Sequence, residues 1–233
     1  MTLEGAPRPH IVVFDVNVYL DVARLMGEPF TWQRFDELAV KHASSPLPYH
    51  DGRVDSLRAI AVTATGHVCP HQPVEVWTSH HIDGLVVTKA MQPTAAPSDE
   101  LRGLGWARQS AEGLLGELVH DLVFDRTGGG TTGTVAAPWG SPPLSHEDGN
   151  VYATLRDAAP DADPEPRRIC VTRDGDFLNS SLFSNADVWH PADWVQYVRQ
   201  SRVADHPGLA TMSARTPRPG PPRGLGNPPG PHS

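Results

Sequence analysis

Carboxylates recur in this chain where an apolar stretch ends or a helical pattern begins. Asp15 and Asn17 follow Ile11-Val12-Val13-Phe14, Glu147 and Asp148 come just after Ser145, and Asp174 and Asp176 follow Cys170-Val171-Thr172-Arg173. A weaker acidic motif, Thr78-Ser79-His80-His81-Ile82-Asp83, lies between the first two. Open α/β sheets place their sites outside the carboxyl ends of strands. Carboxylates meeting there make an oxygen-lined pocket suited to a hard divalent cation, Mg²⁺ or Mn²⁺.

The elements that must position these groups alternate between strand and helix. His10–Asp15 is a continuous apolar run of strand length, as expected for a strand covered on both faces. Helical spacing follows over Asn17–Met26, with Gly27 as a stop, and again over Thr31–Ala43, with Thr31 as cap. Ser56–Thr65 reads as a short helix. Pro73–Thr78 reads as a second strand, followed by a helix that Ser79 caps and that runs to about Ala90. From Ser98 or Asp99 a long helix is expected, with Ala107, Ala111, Leu114, Leu115, Leu118 and Leu122 on one face. Thr127–Pro143 is Gly-, Thr- and Pro-rich and reads as a flexible surface loop. Asp148–Ala159 is a helix, Arg168–Thr172 a third strand, Gly175–Phe183 a short helix and Ala186–Trp189 a fourth strand. Pro191 suits the first position of the last helix. The expected fold class is α/β, a three-layer arrangement with a central, mostly parallel sheet flanked by helices. The expected organisation is an N-terminal extension over 1–9, one domain over 10–202 and a Pro/Gly-rich tail over 203–233 that lacks the apolar residues to fold.

Composition excludes several classes. The 24 Pro and 21 Gly concentrate in the tail and in the Thr127–Pro143 loop, so the remainder keeps enough apolar residues for one core. No run approaches the roughly 20 apolar residues of a membrane span. The N-terminal residues lack the features of a secretion signal, and Cys69 and Cys170 do not make a disulfide framework, so a cytoplasmic location is expected. A net charge of −8 argues against a broad non-specific grip on nucleic acid. His67, His71, His80 and His81 lack zinc-ligand spacing around the lone thiol of Cys69. Gly128-Gly129-Gly130 is not followed by the Lys-Ser/Thr of a phosphate loop, and Trp139 is expected to pack its loop down onto the domain.

Three segments resemble the motifs of the PIN-domain family, metal-dependent nucleases found among toxin–antitoxin toxins and RNA-processing enzymes. Asp15-Val16-Asn17 resembles the opening acidic motif. Asp148-Gly149-Asn150-Val151-Tyr152-Ala153 resembles the third, an acidic residue that opens an apolar helix. Val171-Thr172-Arg173-Asp174-Gly175-Asp176 resembles the last, and Val188-Trp189-His190-Pro191 resembles the family's final strand and Pro-initiated helix. The resemblance spans roughly residues 10–200. The chain departs from it at the second motif. The family's glutamate position falls on Leu85, and Asp83, the one carboxylate of that helix, is offset.

The resemblance implies a metal-dependent endoribonuclease, a toxin whose partners are an RNA substrate and an antitoxin protein. Asp15, Asp148 and Asp174 are then catalytic residues and metal ligands, and Asp176 is a further ligand. Glu147 acts through water or as an acceptor, Asp83 either replaces the missing glutamate or is a solvated helix position, and Arg173 meets a phosphate. Thr172 and Asn17 position a water, a phosphate or a carboxylate. Simpler readings stand beside these. Asp15 and Asp148 can each be a helix N-cap, and Thr172-x-Asp174-x-Asp176 an ordinary turn. The alternative function is a catalytically weak or inactive PIN-like module that binds RNA or a protein. A DNA-directed nuclease would use the same site, and the oligomeric state is open, a homodimer included.

Overall fold

A computed structural model of the chain describes residues 8–95, 102–136, 145–178 and 186–205. Strand β1 (His10–Phe14) leads into helix α1 (Val16–Met26), α2 (Trp32–His42) and α3 (Gly52–Thr63). The hairpin β2 (His67–Cys69) and β3 (Gln72–Thr78) precedes α4 (His80–Met91). Helix α5 (Arg108–Leu114) runs directly into a π-helix, Leu115–Arg126, and then β4 (Gly130–Thr131). The chain continues with α6 (His146–Asp157), β5 (Arg167–Val171), α7 (Gly175–Leu178), β6 (Asp187–Trp189) and α8 (Pro191–Asp205).

The strands form one six-stranded sheet in the order β2-β3-β1-β5-β6, with β4 also on β3. It is mixed. β1 pairs in parallel with β3 and β5, as do β3 with β4 and β5 with β6, whereas β2 and β3 are antiparallel. The fold is thus α/β, a mixed sheet flanked by helices. β1 is central and fully buried, which is why it is apolar without alternation. α1 packs on α3, α3 on α8, and α4 on α5 and α6. Among the described residues no helix is long and apolar enough to cross a membrane.

Several expectations need correction. The helix expected over Ser56–Thr65 starts earlier, at Gly52, because Asp51 caps it by accepting from the Arg53 N–H. The long helix expected from Ser98 or Asp99 begins at Arg108, and residues 102–107 are irregular. Its second half is π-helical, with Leu118 and Val119, then Leu122 and Val123, buried as adjacent pairs. The start of the Thr127–Pro143 loop is pinned rather than free. β4 pairs with the end of β3, and the Thr127 hydroxyl accepts from the Val76 N–H at 3.0 Å. Gly129 is required there, since a Cβ would fall 1.9 Å from the Val76 carbonyl oxygen. β2 was not anticipated; its three residues are too short for a periodicity to register. The C-terminal part of the expected short helix 175–183, Trp139 and the tail beyond Asp205 lie outside the described residues.

The last helix is clamped to the β2 edge by one side chain. The Arg202 guanidinium donates to the carbonyls of Val68 (3.0 Å), Val62 (3.1 Å) and His67 (2.9 Å) and to Thr65 Oγ1 (2.8 Å). Hydrogen bonds from a charged donor each contribute more than neutral ones. Arg202→Met, which keeps the aliphatic stem, should cost about 1–3 kcal/mol. For a domain of this size that lowers the melting temperature by roughly 2–12 °C. A melt coincident with the parent protein's would mean that water replaces the clamp at no cost.

Candidate active site

Chain order decides where a site can form on this sheet. From β1 the chain moves outward to β3 and β4, then returns to β5 on the other side of β1 and continues outward to β6. The direction therefore reverses between β1 and β5, and the carboxyl ends of those parallel strands flank a crevice. Asp15 follows β1, and Thr172 through Asp174 follow β5.

One hydroxyl joins the two strand ends. Thr172 is fully buried, and its Oγ1 donates to Asp15 Oδ2 at 2.7 Å while accepting from the Asp174 N–H at 2.9 Å. Asn17 Nδ2 donates to the same Asp15 oxygen at 3.1 Å. Asp15 occupies the N-cap position of α1, yet its carboxylate makes no capping hydrogen bond. It is turned to Thr172 instead, so the capping reading of this residue fails. Asp148 does cap. Its Oδ2 accepts from Ser145 N–H and Oγ, and Ser145 Oγ accepts from the Asp148 N–H, which makes a capping box at the start of α6. Asp174 Oδ1 accepts from the N–H groups of Asp176 (2.8 Å) and Phe177 (3.1 Å). Each carboxylate is thus anchored through one oxygen, and the second accepts no side-chain hydrogen bond among the described residues.

Asp15, Asn17, Asp148, Asp174, Asp176 and Glu147 line one cavity of about 900 Å³. The electrostatics record their proximity. Asp15 is pushed up to about 6, first by burial and then by the charges of Asp148 and Asp174, against the stabilising bond from Thr172. Asp148 is also raised, by burial and by Asp174 and Glu147. Burial pushes the Cys170 thiol well up, with Asp15 and Asp148 adding to the effect, so Cys170 is an inert core thiol and not a nucleophile.

Two candidates fall elsewhere. Asp83 does not line this cavity. Its Oδ1 accepts from Thr78 Oγ1 at 2.7 Å, and its Oδ2 lies 3.0 Å from His120 Nε2. Both carboxylate oxygens are thus engaged with Thr78 and His120, and the side chain is half-buried. Leu85, at the family's glutamate position, packs against the core. Arg173 is also outside the cavity; Nη1 donates to the buried Asp21 Oδ2 at 2.7 Å, an oxygen that also accepts from Ser56 Oγ at 2.8 Å. It holds α1 to the end of β5.

The cavity also holds cations that sequence reading did not single out. Arg24, Lys89 and Arg102 line it together with the carboxylates, and Lys89 Nζ stands 3.3 Å from Glu147 Oε1. Nothing in their sequence neighbourhoods marks them. They come from three separate segments that only the fold brings to this edge.

The donor chemistry fits a hard divalent cation, since the cavity offers carboxylate oxygens whose mutual repulsion an ion would relieve. Among the described residues no group of three carboxylate, imidazole or thiol side chains is arranged to close around one ion. Such an ion would be held through one or two carboxylates and retained waters, as Mg²⁺ commonly is. Asp15, Asp148 and Asp174, with Asp176 beside them, are the carboxylates from which those ligands would come. Comparison with family models, with curated proteins and with solved structures returned no match, so the reading of this site rests on its own geometry and chemistry.

Proposed function

We propose that this chain is a metal-dependent endoribonuclease of PIN-domain type, with that family's three-layer organisation around a largely parallel central sheet, and that it is the toxin of a toxin–antitoxin pair. One observation carries the reading. Asp15, Asp148 and Asp174 line a single cavity at the reversal of strand order, with Arg24, Lys89 and Arg102 on the same walls. An RNA strand fits that mixture, because its phosphates meet the cations while the scissile one approaches the carboxylates. A bound divalent ion supplies charge neutralisation at the phosphate and lowers the pKa of a water. The chain's own part is orientation. Thr172 and Asn17 fix one Asp15 oxygen. The amides of Asp176 and Phe177 fix Asp174, and Ser145 fixes Asp148, so these carboxylates need no reorganisation.

A second reading is favoured by Asp83. Its engagement with Thr78 and His120, outside the cavity, removes one carboxylate from the set the family uses. A weak or inactive module that binds RNA or a protein partner would share the fold and keep three carboxylates. Cleavage of single-stranded RNA separates the two. Cutting is expected in Mg²⁺ or Mn²⁺ and not in a chelator. Asp174→Asn should reduce it roughly a hundred-fold or more, the scale of one electrostatic group at a reacting centre. Asp83→Asn should leave it within about two-fold, because that carboxylate acts on Thr78 and His120 and not on the cavity. Undiminished cutting in chelator would overturn the metal mechanism. Binding of RNA without cutting under either metal would install the second reading, and cutting of DNA alone would change the substrate.

A further inference from the structure

A second cavity, of about 370 Å³, opens beside the acidic one and shares His146 with it. His80, His81, His146 and Asn150 line it, together with residues 134–136 of the loop after β4. The loop is held against the start of α4, where the His80 N–H donates to the Gly133 carbonyl at 2.9 Å. The volume lies within the ~300–1,000 Å³ range of small-ligand sites.

Its chemistry differs from that of its neighbour. Among the described residues no carboxylate, lysine or arginine lines it, so it is poorly suited to a phosphate. Its imidazoles and its neighbours' carboxylates are not grouped to hold an ion among the described residues. It offers flat rings, small apolar walls and polar side-chain atoms. His81 and His146 lie edge to face with centroids 5.5 Å apart, and His81 Nε2 is buried with no hydrogen-bond partner. Asn150 is 5% exposed; its Nδ2 donates to the His146 carbonyl at 2.8 Å, and its amide oxygen accepts no hydrogen bond among the described residues. A planar heteroaromatic ring carrying an amino group suits the rings, the apolar walls and the Asn150 oxygen. It would stack on an imidazole, sit against Val135 and Ala136 and donate to the Asn150 oxygen.

We propose that the His81–His146–Asn150 cavity is a nucleobase subsite that holds an amino-bearing base next to the phosphate bound in the acidic cavity. The proposal rests on the nuclease reading for the identity of the strand, and the shared wall at His146 supplies the continuity from phosphate to base.

The test uses the full chain in chelator, with adenosine 5′-monophosphate and ribose 5-phosphate as probes and the imidazole Cε1–H resonances as readout. The nucleotide should shift the His81 and His146 signals saturably, and ribose 5-phosphate at the same concentration should not. His81→Ala should weaken nucleotide binding at least about five-fold, whereas His81→Phe, which keeps a flat ring, should retain it. Absence of any shift with the nucleotide, an equal shift with ribose 5-phosphate, or equal losses in the two variants overturns the subsite. The wild-type comparison needs no variant to fold. A protein that binds the nucleotide here but cuts no RNA keeps the subsite and loses the nuclease reading. One that cuts RNA in Mg²⁺ without these shifts does the reverse.

Discussion

Asp15→Asn should abolish RNA cleavage and at the same time raise the melting temperature of the metal-free protein at pH 7. The two effects have one cause. Asp15 is 6% exposed and faces two further carboxylates, which with burial lift its pKa from 3.8 to about 6. About two units, at ~1.4 kcal/mol per unit, correspond to roughly 2–3 kcal/mol carried by the folded state when this group is ionised. An asparagine removes the charge and still accepts from Thr172. The sign follows from the raised pKa. The folded state holds the proton to higher pH than the unfolded chain does. Asp15's favourable contribution is therefore complete below about pH 4 and is lost as pH rises through about 6. Unfolding free energies of parent and variant, measured in chelator from pH 4 to 7.5, should diverge in favour of the variant across that window. Cutting in Mg²⁺ should fall by at least about a hundred-fold. A pH-independent difference, or a variant less stable at pH 7, would mean that the Asp15 carboxylate is not under the electrostatic load described. A carboxylate that costs stability yet lines a cavity is what a functional site, rather than a structural one, leads one to expect.

The second large effect is on stability in the presence of metal. A divalent ion held in the cavity would relieve the repulsion among Asp15, Asp148 and Asp174 and would have no such site in the unfolded chain, so it would stabilise by mass action. At a concentration one hundred times the dissociation constant the gain is about 2.7 kcal/mol, or roughly 5–10 °C in melting temperature for a domain of this length. Millimolar Mn²⁺ should produce a shift of that order in the parent protein. Asp174→Asn and Asp148→Asn should each remove most of it. Asp83→Asn should not, because Asp83 contributes no wall to the cavity. An equal shift in all four proteins would place the ion elsewhere, and no shift at saturating Mn²⁺ would remove the metal from the mechanism. This measurement is independent of RNA, so it also separates a metal-loaded binding module from an enzyme with the wrong substrate.

Much of the secondary structure, and the cavity's five carboxylates, could be read from local pattern. A strand buried on both faces is apolar at every position, so β1 and the core of β5 stand out against a polar chain. Caps leave residue signatures, and Thr31, Ser79 and Pro191 each mark a helix start within a residue of where it falls. Asp15, Asp148 and Asp174 were legible because each stands where a strand ends or a helix begins.

Long-range placement decided the rest. Asp83 has the same residue type and a similar local setting to the others. Only the packing of the π-helix beside α4 brings His120 to it and takes it out of the site. Arg173 neighbours the acidic cluster in sequence, but the buried Asp21, 152 positions away, claims its guanidinium. A Gly-rich segment reads as mobile, yet Gly129 is there because the Val76 carbonyl leaves no room for a Cβ. The cations Arg24, Lys89 and Arg102 carry no local mark, because an exposed basic residue on a helix or loop looks the same whether it faces solvent or a cavity. Local pattern records burial and backbone turning, which are set by a residue's immediate neighbours. Which charges share a cavity depends on strand order, and here that order reverses between β1 and β5, joining Asp15 to Thr172 across 157 residues of chain.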